Sequence, residues 1–501
     1  MGPGGPHAGP GPAAHVRAPS AVPKSDEYSP YARQIHTYGG LDLGHVVAAG
    51  AELERWKPIG PSLNELGNVD IAALTRSLQC GMQAEVRLAL DTLATIASSP
   101  HREHFLHLRY CEDLIDALIE CGEEQLEKLA EHTVEVSDDI QLTSYEDVVR
   151  ACHQERWAVR EQAVMGTNDY ELDRAVDKLI CITTILRNAS FPGEQNENHL
   201  ILADELVIKF ICVVIRYLGT RTMLLRTHSN TLDFMKDIII MLSNIAGCIE
   251  LPTKEQGLCL LYFILAFAPS PIPTIVGGEL FFGQYEPGTH PYLPHAVDAL
   301  AKLIARDEPN RGHYKTIFGL DGSSDVTFDL LTRTFGLAIS PIPDKATEQS
   351  RPQGYPSLIE TRKPLVMQGL LAAEILASMA PGSENSLART WLTSGNSLAQ
   401  NLGRMIQELS RVYEHPQVFV RGSSRAAPKK DAELIYIVNL AVTVLRTLLE
   451  KARDPSHGDV ALLKTLLPSA NILMEVSTMQ SPEWTKDGIL QQLTSVISMA
   501  S

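Results

Sequence analysis

The residue types best suited to chemistry in this 501-residue chain gather in HREHFLHLRYC, where His101, His104, His107 and Cys111 follow at steps of three, three and four. Imidazole and thiolate are zinc donors, and a closed site needs four of them in a tetrahedron. On a single helix each step of three falls about 60° short of a full turn. His101 and His107 therefore point well apart, and a metal site would need a second contributing segment. A partly exposed helix after Pro100 accounts for the stretch better than a ligand series. Asp321-Gly-Ser-Ser-Asp325 has the start of a calcium loop but lacks the remaining ligands and the closing bidentate Glu. IVGGELFFGQY is glycine-rich, yet no Gly-Lys-Ser/Thr follows to cradle a phosphate. The chain contains neither a Gly-x-Ser-x-Gly elbow nor a His-Glu-x-x-His pair. Acidic pairs such as Asp138 and Asp139 read as a solvated surface rather than acid–base machinery. No catalytic residue, cofactor or metal is expected, and the chain reads as a non-enzyme.

The features that fit binding are charged. Arg216, Arg221 and Arg226 surround the turn RYLGTRTMLLR, where an arginine can either cap a helix end or grip an acidic partner. Residues Glu120 to Asp147 hold a run of carboxylates with Lys128 as the only basic residue. Such a run can receive a basic partner such as a histone tail, although a mobile, solvated loop is its commoner meaning. A small basic cluster, Arg421, Arg425, Lys429 and Lys430, sits in another loop.

These residues must be positioned by helices. Hydrophobic residues make up 44% of the chain and charged residues 21%, which excludes a wholly disordered or collagen-like chain. Aromatic content is only 6%, and Leu, Ala and Ile dominate the apolar set, which favours helix over strand. With 43 Lys and Arg against 60 Asp and Glu the net charge is −17, so phosphate backbones repel the chain as a whole. The eight cysteines show no Cys-x-x-Cys spacing and lie in apolar periodic stretches, as reduced buried thiols do. The longest uninterrupted apolar run, Leu258 to Ala268, falls well short of the ~20 residues that span a bilayer.

The opening MGPGGPHAGPGPAAH cannot bury enough apolar surface to order itself. Amphipathic blocks then follow from Val69 onward, among them EVRLALDTLATIASS, CEDLIDALIECGEEQLEKL, YEDVVRACHQERWAVREQAV and LADELVIKFICVVIRYLG. Ser144 with Asp147 predicts a capping-box start for the third of these. The resulting division is a disordered Pro/Gly-rich tail over 1–50, N-terminal helices over 51–120, an acidic loop or helix over 121–143, and helical repeats over 144–501. Loops interrupt the repeats near 269–294, 341–364 and 416–430. KFICVVIRYL is apolar around most of its circumference and must be covered on several sides, as an inner helix between stacked neighbours is. A fragment recurs: TILRNASF at Thr184, MLSNIAGC at Met241 and, more loosely, VNLAVTVL at Val438. Apolar residues, then Asn, then small residues suit the inner helix of an armadillo repeat, with a period of about 40–47 residues. There the Asn amide is expected to bond the backbone of the adjoining repeat. The fold class predicted is all-α, an irregular armadillo-like solenoid with a disordered tail and several long loops.

From about Trp56 to the C-terminus the chain resembles the C-terminal armadillo-like region of the ARID-class (Swi/Osa) scaffold subunit of fungal SWI/SNF chromatin-remodelling complexes. The segments that carry the resemblance are ELGNVDIAALTRSLQCGMQAEVRLALDTLATIA, YELDRAVDKLICITTILRNASF, RYLGTRTMLLRTHSNTLDFMKDIIIMLSNIAG and HPYLPHAVDALAKLIARDEPNRGHY. Within them, LRN-x-SF at Leu186–Phe191 and LSNIAG at Leu242–Gly247 are the elements shared across the family. The resemblance implies a nuclear, non-catalytic subunit that holds other core subunits together, with the ATPase on a separate polypeptide. The family's ARID, a DNA-binding helical domain, is expected N-terminal to this region and has no counterpart before Val69. Direct DNA contact is therefore not carried over, and a C-terminal piece of a longer protein is expected. Arg187, Asn188 and Phe191 form a first candidate partner-binding set. Arg216, Tyr217 and Arg221 near the turn form a second, with Asn244 on the LSNIAG element, and Asn188 and Asn244 are expected to be mostly structural. The rival reading, a general armadillo adaptor for linear peptides in transport or signalling, expects a Trp/Asn ladder. Trp56, Trp157, Trp391 and Trp484 fall at no repeat spacing.

Overall fold

The computed structural model describes residues 43–55, 65–98, 106–158, 162–191, 197–320, 329–344, 358–381, 387–414, 431–452, 482–486 and 488–500. The chain divides into Met1–Pro61 and Ser62–Ser501. The first unit holds one described helix, α1 (Leu43–Arg55), which begins inside the stretch read as disordered tail. Its sequence, LGHVVAAGAELER, is rich in Ala and Leu, which favours helix locally.

The second unit opens with α2 (Ile71–Gln79), α3 (Gln83–Ala97), α4 (Leu114–Glu131), α5 (Tyr145–Glu155) and α6 (Asn168–Ala189). Then come α7 (Glu197–Leu202), α8 (Glu205–Thr220), α9 (His228–Ile245) and α10 (Lys254–Leu265). A two-stranded antiparallel hairpin, β1 (Thr274–Val276) and β2 (Glu279–Phe281), precedes α11 (Leu293–Ala305), α12 (Asn310–Leu320) and α13 (Leu330–Ile339). The chain ends with α14 (Leu358–Thr361), α15 (Lys363–Met379), α16 (Leu387–Leu392), α17 (Leu398–Glu414), α18 (Ala432–Ala452), α19 (Glu483–Lys486) and α20 (Ile489–Ala500).

Side-chain caps start many of these helices. Asp70, Ser144, Thr167, Asp204, Thr227, Thr253 and Asp329 each accept a hydrogen bond from an amide in the first turn. This satisfies donors that the helix itself leaves open. The predicted capping box is formed: the Ser144 hydroxyl accepts from the Asp147 amide at 3.2 Å and donates to its carboxylate at 2.8 Å. α5 stops at Glu155, however, shorter than the periodic block through Val164 suggested. The loop expected near 269–294 contains the hairpin, a strand element that the sequence reading missed. Within the loop expected near 341–364, α14 is helical, and α15 already begins at Lys363. The loop near 416–430, with Arg421, Arg425, Lys429 and Lys430, lies outside the described residues.

One file of helices runs α3, α6, α9, α11, α15, α18, each packed on the next. A second file runs α4, α8, α10, α12 beside it, and α5 packs on α9. The fully apolar α8 occupies the position its composition requires. Val207, Ile208, Phe210, Ile211, Val214 and Ile215 are all fully buried, each worth about 1.5–3 kcal/mol of burial. Among the described residues α18 alone has the length and hydropathy of a membrane span. Most of its apolar side chains are buried against α15, α16, α17 and α20, which is the environment of a core helix.

Candidate functional site

The recurring Asn fragments end α6 and α9, and both asparagines reach back to the preceding helix of the file. The Asn188 amide nitrogen donates to the hydroxyl of Ser98, the C-cap of α3, at 3.0 Å. One helix on, the Asn244 amide nitrogen donates to the hydroxyl of Ser190, the C-cap of α6, at 2.9 Å. The expected partner was backbone; the actual partner is a cap serine, and the device repeats. Arg187 fixes the orientation of the first amide by donating to the Asn188 carbonyl oxygen at 2.8 and 3.1 Å. The third, looser fragment departs from the pattern. Asn439 in α18 meets Gln492 of α20 at 3.4 Å rather than a cap on the preceding helix.

Charged rungs accompany the amides. Asp237 on α9 is 3% exposed and accepts from Arg187 at 2.6 Å, Thr184 at 2.7 Å and Thr183 at 3.1 Å, all on α6. Burial pushes its carboxyl above the ordinary aspartate range, more than the threonine bonds and the Arg187 charge pull it down. Between α9 and α11, the Ser243 hydroxyl donates to Asp298 at 2.7 Å, while Lys302 donates to the Ser243 carbonyl and to Asp298, both at 2.6 Å. Arg306 closes this rung on the Gly247 carbonyl and the Glu250 carboxylate.

Asparagine clamps that the sequence reading did not single out secure the loops. Asn198 donates to the Leu106 carbonyl at 2.8 Å and accepts from the Leu108 amide at 3.0 Å. Asn310 does the same for Ile249 and Leu251, at 3.0 and 2.8 Å. Each is accompanied by a histidine whose ring Nε2 donates to a main-chain carbonyl: His199 to Ser190 at 2.8 Å, His313 to Leu251 at 3.1 Å. The available signal was an Asn followed closely by His in ENH and NRGH.

The second candidate set stands at the end of α8. Arg216 is exposed and Tyr217 half-buried. The Arg221 guanidinium lies 5.0 Å from the Tyr217 ring centroid, donates to the Ala130 and Thr133 carbonyls at 2.8 and 3.0 Å, and pairs with Glu135 at 3.1 Å. Arg226 pairs with Asp173 at 2.6 Å and Asp169 at 3.0 Å. Of the seven candidate residues, Arg187, Asn188, Arg221 and Asn244 thus make side-chain hydrogen bonds within the fold, while the buried Arg221 Nε has no partner among the described residues. Phe191, 46% exposed, and Arg216 face solvent.

The acidic segment comprises the end of α4 and a mostly exposed loop. Residues through Glu131 complete α4, and the following stretch is fastened to the end of α8. The Val136 amide donates to Thr220 at 2.8 Å, that of Gln141 to Gly219 at 2.9 Å, and that of Thr222 to Val134 at 3.2 Å. Glu135 faces Arg221 across an antiparallel bridge. Beside this segment opens a cavity of about 380 Å³, bounded by Val136 to Thr143, the α8–α9 turn and the start of α9, with Phe263 in its wall.

His101 and His104 of the candidate metal series lie outside the described residues, as does Asp321–Asp325. His107 packs its ring 6.2 Å from Tyr110, and Cys111 donates to the His107 carbonyl at 3.3 Å. Burial pushes the Cys111 thiol up, away from the thiolate that a metal takes. Among the described residues no three His, Cys, Asp or Glu side chains gather as a metal site would. All eight cysteines are free, and Cys121, Cys152, Cys212 and Cys259 are buried. Trp391 and Trp484 are buried and Trp157 is 90% exposed, so these three do not line one face.

No family model matches the chain. It is similar to the SWI/SNF chromatin-remodeling complex subunit sol1 of Schizosaccharomyces pombe, with 26% identity over 438 residues, 83% of this chain. It is also similar to the SWI/SNF chromatin-remodeling complex subunit SWI1 of Saccharomyces cerevisiae, 28% identical over 147 residues, 28% of this chain. The matches cover 47% of the first relative and 11% of the second, so the chain spans about half the length of sol1 or less of these proteins. They agree with the resemblance read from the LRN-x-SF and LSNIAG elements.

Proposed function

We propose that this chain is a nuclear, non-catalytic scaffold subunit of a SWI/SNF-type chromatin-remodelling complex. Its helical core acts as an armadillo-like solenoid on which extended segments of the other core subunits lie, and the ATPase is a separate polypeptide. The observation that carries this reading is the similarity to sol1, which extends over 438 residues and so over far more than one local motif. The rung chemistry supports it. Side chains that could have served a ligand, Arg187, Asp237 and Asn188 among them, are used to hold helix on helix, as a rigid framework requires. Segments that order on binding can then cover large areas of such a framework. Phe191 and Arg216 are the exposed members of the two candidate sets and the first to substitute when partner contacts are mapped. The acidic stretch is proposed as a contact for basic segments, histone tails included, while direct DNA contact is not assigned to this net −17 chain.

The test is affinity purification of the tagged chain from fungal nuclear extract, a high-salt wash and mass spectrometry of what remains. Recovery of the remodelling ATPase with its core subunits is the expected result. Recovery of transport factors or signalling proteins bearing short linear motifs, with no remodeller subunits, would support the general adaptor instead.

A further inference from the structure

The cavity beside the acidic segment has mixed walls. Val148, Leu218, Leu224, Met235 and Phe263 supply its apolar side, Gln141, Thr143, Arg221 and Thr231 its polar side, while Val136 and Met223 stand at 62% and 45% exposure. Its volume of about 380 Å³ falls within the ~300–1,000 Å³ of ligand pockets. The segment forming one wall is extended. Glu135 pairs with Arg221 through bonds made by its neighbours, the Val136 amide and the Val134 carbonyl. In that geometry the N–H and C=O of Glu135 itself point away from Arg221, and they have no partner among the described residues. Val134 and Val136, one residue to either side, share a face of this short strand. Val136 lines the cavity, and Val134 is 69% exposed next to it. Asp138 and Asp139 follow directly, exposed and in no ion pair among the described residues, between the lining residues Ser137 and Gln141.

A recess with an apolar side, an open main-chain edge and a carboxylate rim thus meet at one place. The geometry points to this recess as the docking site for an extended segment of a partner polypeptide in which Lys or Arg alternates with Leu, Ile or Met. The segment adds alongside Glu135 by main-chain hydrogen bonds, as strand addition does. Period-two alternation then puts its apolar side chains over Val134, Val136 and the cavity, and its cations toward Asp138 and Asp139. This deepens the scaffold reading and rests on it for the identity of the partner, since it names where one such segment lies and what chemistry it carries.

Fluorescence anisotropy of the full chain with a labelled nine-residue peptide of alternating Lys and Leu tests the site. Replacing every Lys by Glu, or every Leu by Ser, is expected to weaken binding at least tenfold. Thr231→Phe, which fills the cavity from α9, is expected to do the same. The exposed double substitution Asp138→Asn/Asp139→Asn is expected to cost about fivefold, the scale of screened surface charge. Thermal melts confirm that each variant folds. Should Thr231→Phe fail to fold, the exposed pair Val134→Ser/Val136→Ser decides, with a tenfold loss expected. Equal binding of the Lys/Ser peptide, or binding unchanged by the cavity and rim variants, overturns the proposal. Self-association by sedimentation that Val136→Ser abolishes would assign the face to a second copy and overturn it equally. The two readings fail separately. Remodeller subunits captured equally well by the rim and cavity variants would leave the scaffold standing without this site. Peptide docking without remodeller capture would leave the site without the scaffold.

Discussion

The α3–α6–α9–α11 stretch and the α13–α15–α18 stretch meet the same packing requirement with different atoms. In the first, neighbouring helices are joined across their faces by Asn188 to Ser98, Arg187 and two threonines to Asp237, Asn244 to Ser190, and Lys302 and Asp298 to Ser243. In the second, Ala372, Ala373 and Ala377 let α15 approach its neighbours closely. A Cβ added at Gly369 would lie 2.3 Å from the Ala338 carbonyl oxygen of α13. Polar ties there sit mainly at helix ends: Lys363 with Asp431 and Glu433, and Lys451 with the Ser378 and Ala380 carbonyls. Small-residue contacts set how close helices come, whereas directional rungs set which residue faces which. The first stretch is therefore fixed in register by chemistry that a slipped pairing would leave unsatisfied.

The sharpest way to break this contrast is Asp237→Ala. Removing the carboxylate leaves Arg187 and two threonine hydroxyls without it, at an expected cost of about 3–5 kcal/mol in urea unfolding. The paired change Arg187→Met/Asp237→Leu should recover most of that loss, because the half-buried guanidinium and the buried carboxylate then vanish together. A cost under about 1 kcal/mol for the single change would mean that the rung is ornamental. In the second stretch Gly369→Ala should cost roughly 1–3 kcal/mol through overpacking against Ala338, while a Gly-to-Ala change at an exposed helical position gains stability. Asn188→Leu and Asn244→Leu should each lower stability by about 1 kcal/mol, with partner capture falling only as far as folding does. Normal melting of either variant would undo the structural assignment of that amide.

The smallest effect is a pH dependence at the two ends of α5. Glu146 accepts from the Ser270 amide and meets His290, both at 2.7 Å. Glu155 accepts from the His228 amide at 3.0 Å and meets its ring at 2.7 Å. Burial pushes both carboxyls up, but these hydrogen bonds and the histidine charges hold them below the ordinary glutamate range. The folded protein therefore binds these protons less readily than the unfolded chain. The stabilisation is full above about pH 4.3 and is lost as pH falls through the lower folded values. Urea midpoints measured from neutral to acid pH should show a shallower acid loss in Glu146→Gln than in the parent chain. Identical slopes would remove the carboxylate from the account.

What could be read from the sequence was whatever is local. Capping at Ser144, the apolar girth of α8 and the paired Asn fragments depend on neighbours within a turn or two. The serine caps that the asparagines meet stand on another helix, so only the amides were visible. Asp237 was legible in principle, as a carboxylate between Met235 and Ile238 with Asp233 one turn earlier, yet nothing nearby named Arg187 as its partner. Composition showed the charge of the acidic segment but not its ties, which come from Arg221 and the end of α8, remote in sequence. The hairpin escaped because three-residue strands are too short for alternation to register.

The proposed scaffold role places this framework inside a remodeller. Tagging the chain in fungal nuclei, isolating the complex it enters and cross-linking it before mass spectrometry checks that placement. Cross-links from several different remodeller core subunits to residues of the helical files are expected, with the ATPase present in the same complex. A chain that elutes apart from the ATPase, with no remodeller subunit cross-linked to it, would overturn the scaffold role.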